Sequence, residues 1–317
     1  MALSTIKSSG GDFTSLSAWE AATQADLTGN GPEEAQCFDF ADTTGFSIVG
    51  WTTTAADFIR IFTAQAERHN GTARNVSGSG YELSSTGTPI NIREDFVRIE
   101  GLVITSTATG AVDIIAFGGP FTAASNDIRI DQCIIHDQST ALTSNFSIQA
   151  TVANLIFTIQ NSIVYGKQRG ITMLSLATGV INYCTFFTDA DTFGIFGVDT
   201  MTVKDTYVGG YSTEDFWTGG NAPSGNNNVS ADTSAETDYT ASHNSKAAGD
   251  QFVNASVGTS ADFHLKAGSF LETEGAPVSG ITVDIDGDTR DVSTPDVGAD
   301  EFVAVAAGNP WYAYAQQ

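Results

Sequence analysis

Basic residues are scarce: 13 Lys and Arg stand against 37 Asp and Glu in 317 residues, a formal charge of −24. A surface of that sign repels nucleic acid and anionic membranes, so neither is expected as a partner. The same field opposes a polyanionic polysaccharide unless cations bridge the two. Long apolar runs are missing as well. No segment approaches the roughly 20 apolar residues of a membrane span, and MALSTIKSSGGDFTSL has neither the basic start nor the apolar stretch of a secretory signal. The expectation is a protein made in the cytoplasm and not exported by that route. Cysteine is nearly absent, and Cys37, Cys133 and Cys184 give no even disulfide framework and no CxxC metal pair. Runs of Ala, Leu, Glu and Lys at helical spacing are lacking, whereas Thr, Ser, Gly, Asn, Phe, Val and Ile are frequent. That is the composition of strands and turns.

What is present is a repeat. VRIEGLVI (97–104), IRIDQCII (128–135), FTIQNSIV (157–164), GVINYCTF (179–186) and MTVKDTYV (201–208) align, with apolar or small residues at the first, third, sixth and eighth positions. Two short alternating strands are thus joined by a pair that breaks the alternation: Glu100-Gly101, Asp131-Gln132, Gln160-Asn161, Asn182-Tyr183 and Lys204-Asp205. Gly, Asn and Asp tolerate the unusual dihedrals of such a corner. The third-position residues Ile99, Ile130, Ile159, Ile181 and Val203 are 31, 29, 22 and 22 residues apart. That is too far for hairpins and too short for βαβ units, but it is one coil of a parallel β-helix. The longer intervals predict loops around residues 106–126 and 137–153. Cys133 and Cys184 fall in one inward column with Leu102, Ser162 and Thr206, two coils or about 9.6 Å apart, beyond disulfide reach. His136 should sit at a corner facing solvent.

The spacing therefore predicts an all-β chain: a single parallel β-helix over residues 55–270, with an N-terminal cap over 1–54 and an acidic C-terminal segment with an aromatic tail over 271–317. An open stack exposes its terminal core and needs a cap. SAWEAATQAD supplies a short helix, with Ser17 and Glu20 at capping-box spacing and Trp19, Ala22 and Leu27 as its apolar face.

The succession QFVN, DFHLKAGS, DIDGDTR and PDVGADEF resembles the ending of bacterial and phage right-handed parallel β-helix proteins of the pectate-lyase-like superfamily. The opening TIKSSGGDFTSLSAWEAA, with GWTT, FIRIFTA and AERHNG, resembles β-helix proteins encoded among phage structural genes. The resemblance implies the fold; members include lyases, hydrolases, adhesins and inert virion parts, so it leaves activity open. In the lyases a Lys or Arg base faces carboxylates that hold calcium or neutralise the sugar acid. Lys167 and Arg169, with Lys204 a further option, are the candidate bases here. Asp189 and Asp191, with Asp131, Asp137 and Asp205, are the candidate carboxylates. The NTD, DD, GHG and RIK motifs of polygalacturonase-like hydrolases are not in the chain.

Asp284, Asp286, Asp288 and Asp291 place oxygen donors about Gly287, a pattern able to wrap calcium, the one cofactor the chain points to. The alternative is an acidic turn held by Arg290. The tail GNPWYAYAQQ brings Trp311, Tyr312 and Tyr314 together as a candidate partner-docking patch. The first functional reading is a non-enzymatic structural protein on a bacteriophage virion surface, a decoration, fibre or spike component. It would be made in the host cytoplasm and released by lysis. Its expected partners are other virion proteins, further copies of itself, three being the guess, and a host surface glycan. The rivals are a polysaccharide lyase or hydrolase working along the coil face, and a carbohydrate-binding adhesin without chemistry.

Overall fold

A side chain that alternates between core and solvent at every second position fits only a strand, and three such strands per coil close this chain into a solenoid. The computed structural model describes residues 2–72, 80–121, 126–138, 146–166, 169–173, 177–189, 192–197, 200–217 and 223–303. Among these described residues the first sheet has nine parallel strands: Ala2–Ile6, Glu33–Cys37, Ile59–Thr63, Val97–Glu100, Ile128–Asp131, Ile156–Gln160, Thr178–Asn182, Met201–Lys204 and Ser224–Asn226. The second has eight: Ala41–Asp42, Glu82–Ser85, Val103–Ser106, Ile134–Asp137, Ile163–Gly166, Thr185–Thr188, Tyr207–Gly209 and Val229–Ser230. The third has seven: Phe46–Ile48, Ile90–Ile92, Ile115–Phe117, Phe146–Ala150, Arg169–Met173, Phe193–Phe196 and Glu214–Phe216. The chain visits them in the order first, second, third and back to the first, one coil at a time. This is a right-handed parallel β-helix.

The expected column is in register. Ile99, Ile130, Ile159, Ile181 and Val203 pair in succession, and Ala35 and Ile61 extend the file toward the N-terminus. All seven are fully buried. The corner column is polar where it is not apolar. Ser162 Oγ accepts from Cys133 N, Thr206 Oγ1 from Cys184 N and Asn228 Oδ1 from Thr206 N, so side chains continue the inter-coil bonding where strands are interrupted. Cys37, Cys133 and Cys184 are buried free thiols.

Several expectations are corrected. The parallel ladder begins at Ala2, not residue 55, and its last named strand ends at Ser230, so the boundaries at 55 and 270 do not coincide with it. The intervals 106–126 and 137–153, read as loops, carry the third-sheet strands Ile115–Phe117 and Phe146–Ala150. The helix is Leu16–Thr23, and its N-cap is Ser15, whose hydroxyl accepts from Ala18 N, rather than Ser17. Glu20 is buried and takes Val49 N instead of closing a capping box. Leu16, Trp19 and Leu27 face the core, while Ala22 is exposed. Asp42 fixes this cap by accepting from Leu16 N and the Tyr81 hydroxyl at 2.8 and 2.7 Å.

The segment after residue 246 leaves the coil path and folds back over the outside of the second sheet. Its antiparallel strands Phe252–Asn254 and Asp262–Leu265 lead a cluster of Phe252, Phe263, Leu265, Leu271, Ile285 and Val297. These pack on Val103, Ile134, Ile163, Tyr207 and Val229, side chains that point away from the solenoid core. Burying each such side chain contributes about 1.5–3 kcal/mol, which is why an outer face can be apolar here. His136 lies beneath this cover. It is 1% exposed, stacks on Tyr165 at 4.0 Å, and its Nε2 meets Val257 O at 3.1 Å. The solvent-facing corner expected for it is corrected accordingly; burial lowers its pKa to about 4.

Candidate functional site

The second residue of each corner pair adopts the left-handed conformation: Gly101, Gln132, Asn161, Tyr183 and Asp205, followed by Asn227. For Gln132 and Tyr183 this costs about 1 kcal/mol or more, since neither type favours it. Their side chains show the compensation. Gln132 Nε2 donates to Asp284 O and its Oε1 accepts from Arg68, while its main-chain carbonyl accepts from His69 Nε2 at 2.9 Å. The Tyr183 hydroxyl donates to Ala276 O at 2.6 Å and accepts from Val278 N at 3.2 Å. Asp205 Oδ1 accepts from Ala276 N at 2.9 Å, and its carbonyl from Gly298 N. Asn161 Oδ1 accepts from Arg290. One file of strained corners thus grips the returning C-terminal segment.

Arg290 is the hub of that grip. It is 3% exposed and donates to Asn161 Oδ1 and to the carbonyls of Asp296, Gly298 and Ala299, while pairing with Glu301 at 3.4 Å. Its guanidinium lies 4.1 Å from the centre of the Tyr183 ring. It is directed at the coil corner and not at the acidic run it was expected to hold.

Asp284, Asp286 and Asp288 do converge, with one carboxylate oxygen each within 4.8 Å of the others. Asp291 does not join them: it is exposed and accepts from Ser293 N and Thr294 N. Asp284 Oδ1 accepts from the amides of Asp286, Gly287 and Asp288, and Oδ2 from Glu301 N. This carboxylate is committed to building a turn, which leaves a cation little of it to bind. A second group, His264, Asp286 and Asp300, overlaps the first. His264 Nδ1 meets Asp262 at 2.7 Å and its Nε2 meets Asp286 at 3.1 Å. Burial alone would lower the His264 pKa, but these two hydrogen bonds and the charge of Asp300 raise it to about 11. Both ring nitrogens are thus engaged by carboxylates. Burial raises Asp300 to about 7, against the pull of His264. Burial and then the charge of Asp286 raise Asp284 as well.

These groups open on a cleft of about 270 Å³ lined by Asn70, Val253, His264, Asp286, Asp300 and Phe302. The four C-terminal motifs, QFVN, DFHLKAGS, DIDGDTR and PDVGADEF, all contribute to it. Their clustering in the sequence was the available signal for Asp262, His264 and Asp300, which were not singled out.

The candidate catalytic residues are described only in part. Lys167 and Asp191 lie outside the described residues, as do Trp311, Tyr312 and Tyr314 of the tail. Arg169 starts a third-sheet strand with its guanidinium 5.3 Å from the Phe146 ring and 5.6 Å from that of Phe193. Asp189 is exposed just past a second-sheet strand, and Asp137 is fully buried at the end of another. Asp131 and Lys204 belong to the first sheet, where Asp131 accepts from Gln160 and Asn161. The first sheet also shows a strip that was not anticipated. Arg60 joins Glu34 to Glu100, and Arg98 and Arg129 share Asp127, so these three cations are matched by carboxylates.

No family profile and no curated protein matches the chain. Among solved structures it is similar to one described as the crystal structure of pectate lyase Pel9A, at 14% identity over 94% of this chain and 96% of that one, with a TM-score of 0.38. No chemistry transfers at that distance.

Proposed function

We propose that this chain is a non-enzymatic structural protein displayed on the surface of a bacteriophage virion, a decoration, fibre or spike component that contacts host glycans without cutting them. The observation that carries this reading is that Arg60, Arg98 and Arg129, the cations along the first sheet, are each held by a carboxylate at 2.6–3.0 Å. A β-elimination or hydrolysis needs a base within hydrogen-bond reach of the sugar and an acid or cation opposite it. His264 likewise meets a carboxylate at each ring nitrogen, Asp262 at 2.7 Å and Asp286 at 3.1 Å. The C-terminal segment covers the second sheet, which suits a stiff rod more than an open groove. Subunits would join through the tail carrying Trp311, Tyr312 and Tyr314 into a closed ring of three.

The test has two parts. The purified protein is incubated with polygalacturonate and with capsular polysaccharide from host-type bacteria, and unsaturated and reducing ends are measured. Antibody labelling then looks for the protein on intact particles. No released ends together with surface labelling is the expected result. Released ends would establish the lyase or hydrolase in its place.

A further inference from the structure

Four aromatic rings gather on the third sheet, from the strands Phe146–Ala150 and Phe193–Phe196 and the residue after Glu214–Phe216. Phe146 pairs in register with Arg169, Phe193 with Glu214 on the last strand, and Phe196 with Thr172. Trp217 follows that last strand, and its amide bonds Ile195 O. The Phe196 and Trp217 ring centres are 4.7 Å apart, Phe193 lies 5.4 Å from Trp217 and 5.3 Å from Phe196, and Phe146 lies 6.3 Å from Phe196. All four are half-buried. Elsewhere along the file of Phe196 the outward residues are small or polar: Asn91, Ala116, Gln149 and Thr172. The rings therefore interrupt a polar face, and the solenoid core lies on its other side.

We infer that Phe196 and Trp217, buttressed by Phe193, Phe146 and Arg169, form a stacking platform for the sugar rings of an uncharged glycan. This rests on the reading of a non-cleaving surface protein and names its ligand class and site. Three arguments select the occupant. The first is size. Four half-buried rings expose on the order of 200 Å² of apolar area, far below the about 800 Å² per partner of a stable protein interface. A second copy of the chain is thereby disfavoured. The second is charge, because a net −24 surface repels nucleic acid and acidic polysaccharides alike, which among glycans favours an uncharged one. The third is shape. From the coil of Phe146 to that of Trp217 is three coil steps, about 14 Å at the strand spacing, a strip suited to a short run of sugars. The polarised C–H face of a pyranose sits well on the electron-rich face of an aromatic ring. Arg169 stands over Phe146 and Phe193, which holds those two rings in place beside Phe196 and Trp217.

The probes are neutral hexasaccharides of glucose, mannose, galactose or N-acetylglucosamine, with polygalacturonate as the acidic comparison, read by calorimetry and tryptophan fluorescence. At least one neutral probe should bind saturably, Trp217→Ala and Phe196→Ala should each weaken it roughly tenfold, and Trp217→Phe should retain most of it. Far-ultraviolet circular dichroism of each variant must match the parent; if an alanine variant misfolds, Phe196→Ser and Trp217→Phe decide. Absence of binding by every neutral probe, equal binding after the substitutions, or stronger binding of polygalacturonate overturns the platform. So does concentration-dependent self-association abolished by Trp217→Ala, which would give the patch to a second copy. Release of sugar ends, by contrast, overturns the non-cleaving reading and leaves the platform standing.

Discussion

The guanidinium of Arg290 lies 4.1 Å from the centre of the Tyr183 ring, although Tyr183 holds a left-handed backbone at φ 49° to be there. The contact joins the C-terminal segment to the third-last corner of the solenoid. Removing it with Arg290→Ala takes one donor each from Asn161, Glu301 and three carbonyls. A loss of about 3–5 kcal/mol is expected, measured by denaturant unfolding. Hydrogen exchange should rise across 246–303 before it rises in the first sheet.

Tyr183→Phe keeps the ring beneath Arg290 but deletes the hydroxyl bonds to Ala276 and Val278. We expect a cost of about 1–3 kcal/mol. Tyr183→Gly relieves the backbone strain and should nevertheless be worse, because it removes ring and hydroxyl together. If the glycine variant proves more stable than the parent, the corner side chains are not what holds the segment.

Stability should fall as pH rises from about 5 to 8. Burial raises Asp205 and Asp296 to about 6, and Asp215 and Asp300 to about 7, from 3.8. The folded state therefore holds protons that the unfolded chain has released, and stability is lost as pH climbs through that window. His264, raised to about 11 from 6.5, contributes stability that is complete below 6.5 and declines above it. His69 and His136, lowered to about 4 by burial, work in the opposite sense between 4 and 6.5, but they are two groups against four. Calorimetric melting temperatures at pH 5, 6.5 and 8 should descend in that order, and His264→Gln should flatten the last step.

Calcium should not raise the melting temperature, nor should chelator lower it, because Asp284 already accepts from four main-chain amides. Asp284→Ala should cost roughly 2–3 kcal/mol through those amides. A calcium-dependent rise abolished by Asp286→Asn would restore the cation reading.

The thiols should resist alkylation in the native protein. Burial lifts Cys133 and Cys184 to about 12 and Cys37 well above its usual value, so the thiolate is scarce. Denaturation without reductant should expose all three to label, as shown by mass spectrometry. A Cys133 to Cys184 crosslink would contradict the coil assignment.

The columns were legible because Ile99, Ile130, Ile159, Ile181 and Val203 repeat a local rule, and local rules survive in sequence. The third sheet was not, since strands such as Ile115–Phe117 have only three residues and arrive after intervals of varying length. The fold-back had a trace that went unread. Val103, Ile134, Ile163 and Tyr207 occupy the seventh position of the repeat, which faces outward, and their apolarity required a cover. His136 shares that face, which is why a solvent position failed for it. Arg290 reaches Asn161 across 129 residues, a pairing with no local signature in either neighbourhood. The acidic run was visible as a motif, yet Asp284 and Asp291 serve main-chain amides and Asp286 meets His264, uses that spacing alone does not distinguish from metal binding.

The corner file also acts as a gauge. Gln132, Asn161, Tyr183 and Asp205 lie on four consecutive coils, and the strap that meets them has fixed lengths between Ala276, Asp284, Arg290 and Gly298. Repeat proteins ordinarily evolve by duplicating or losing a unit, since each unit touches only its neighbours. Here one added coil would displace the later corners by about 4.8 Å, and every downstream bond to the strap would miss its partner at once. Coil number in this interval is therefore locked, and lineages carrying the strap should vary in their excursion loops while keeping the count of turns beneath it.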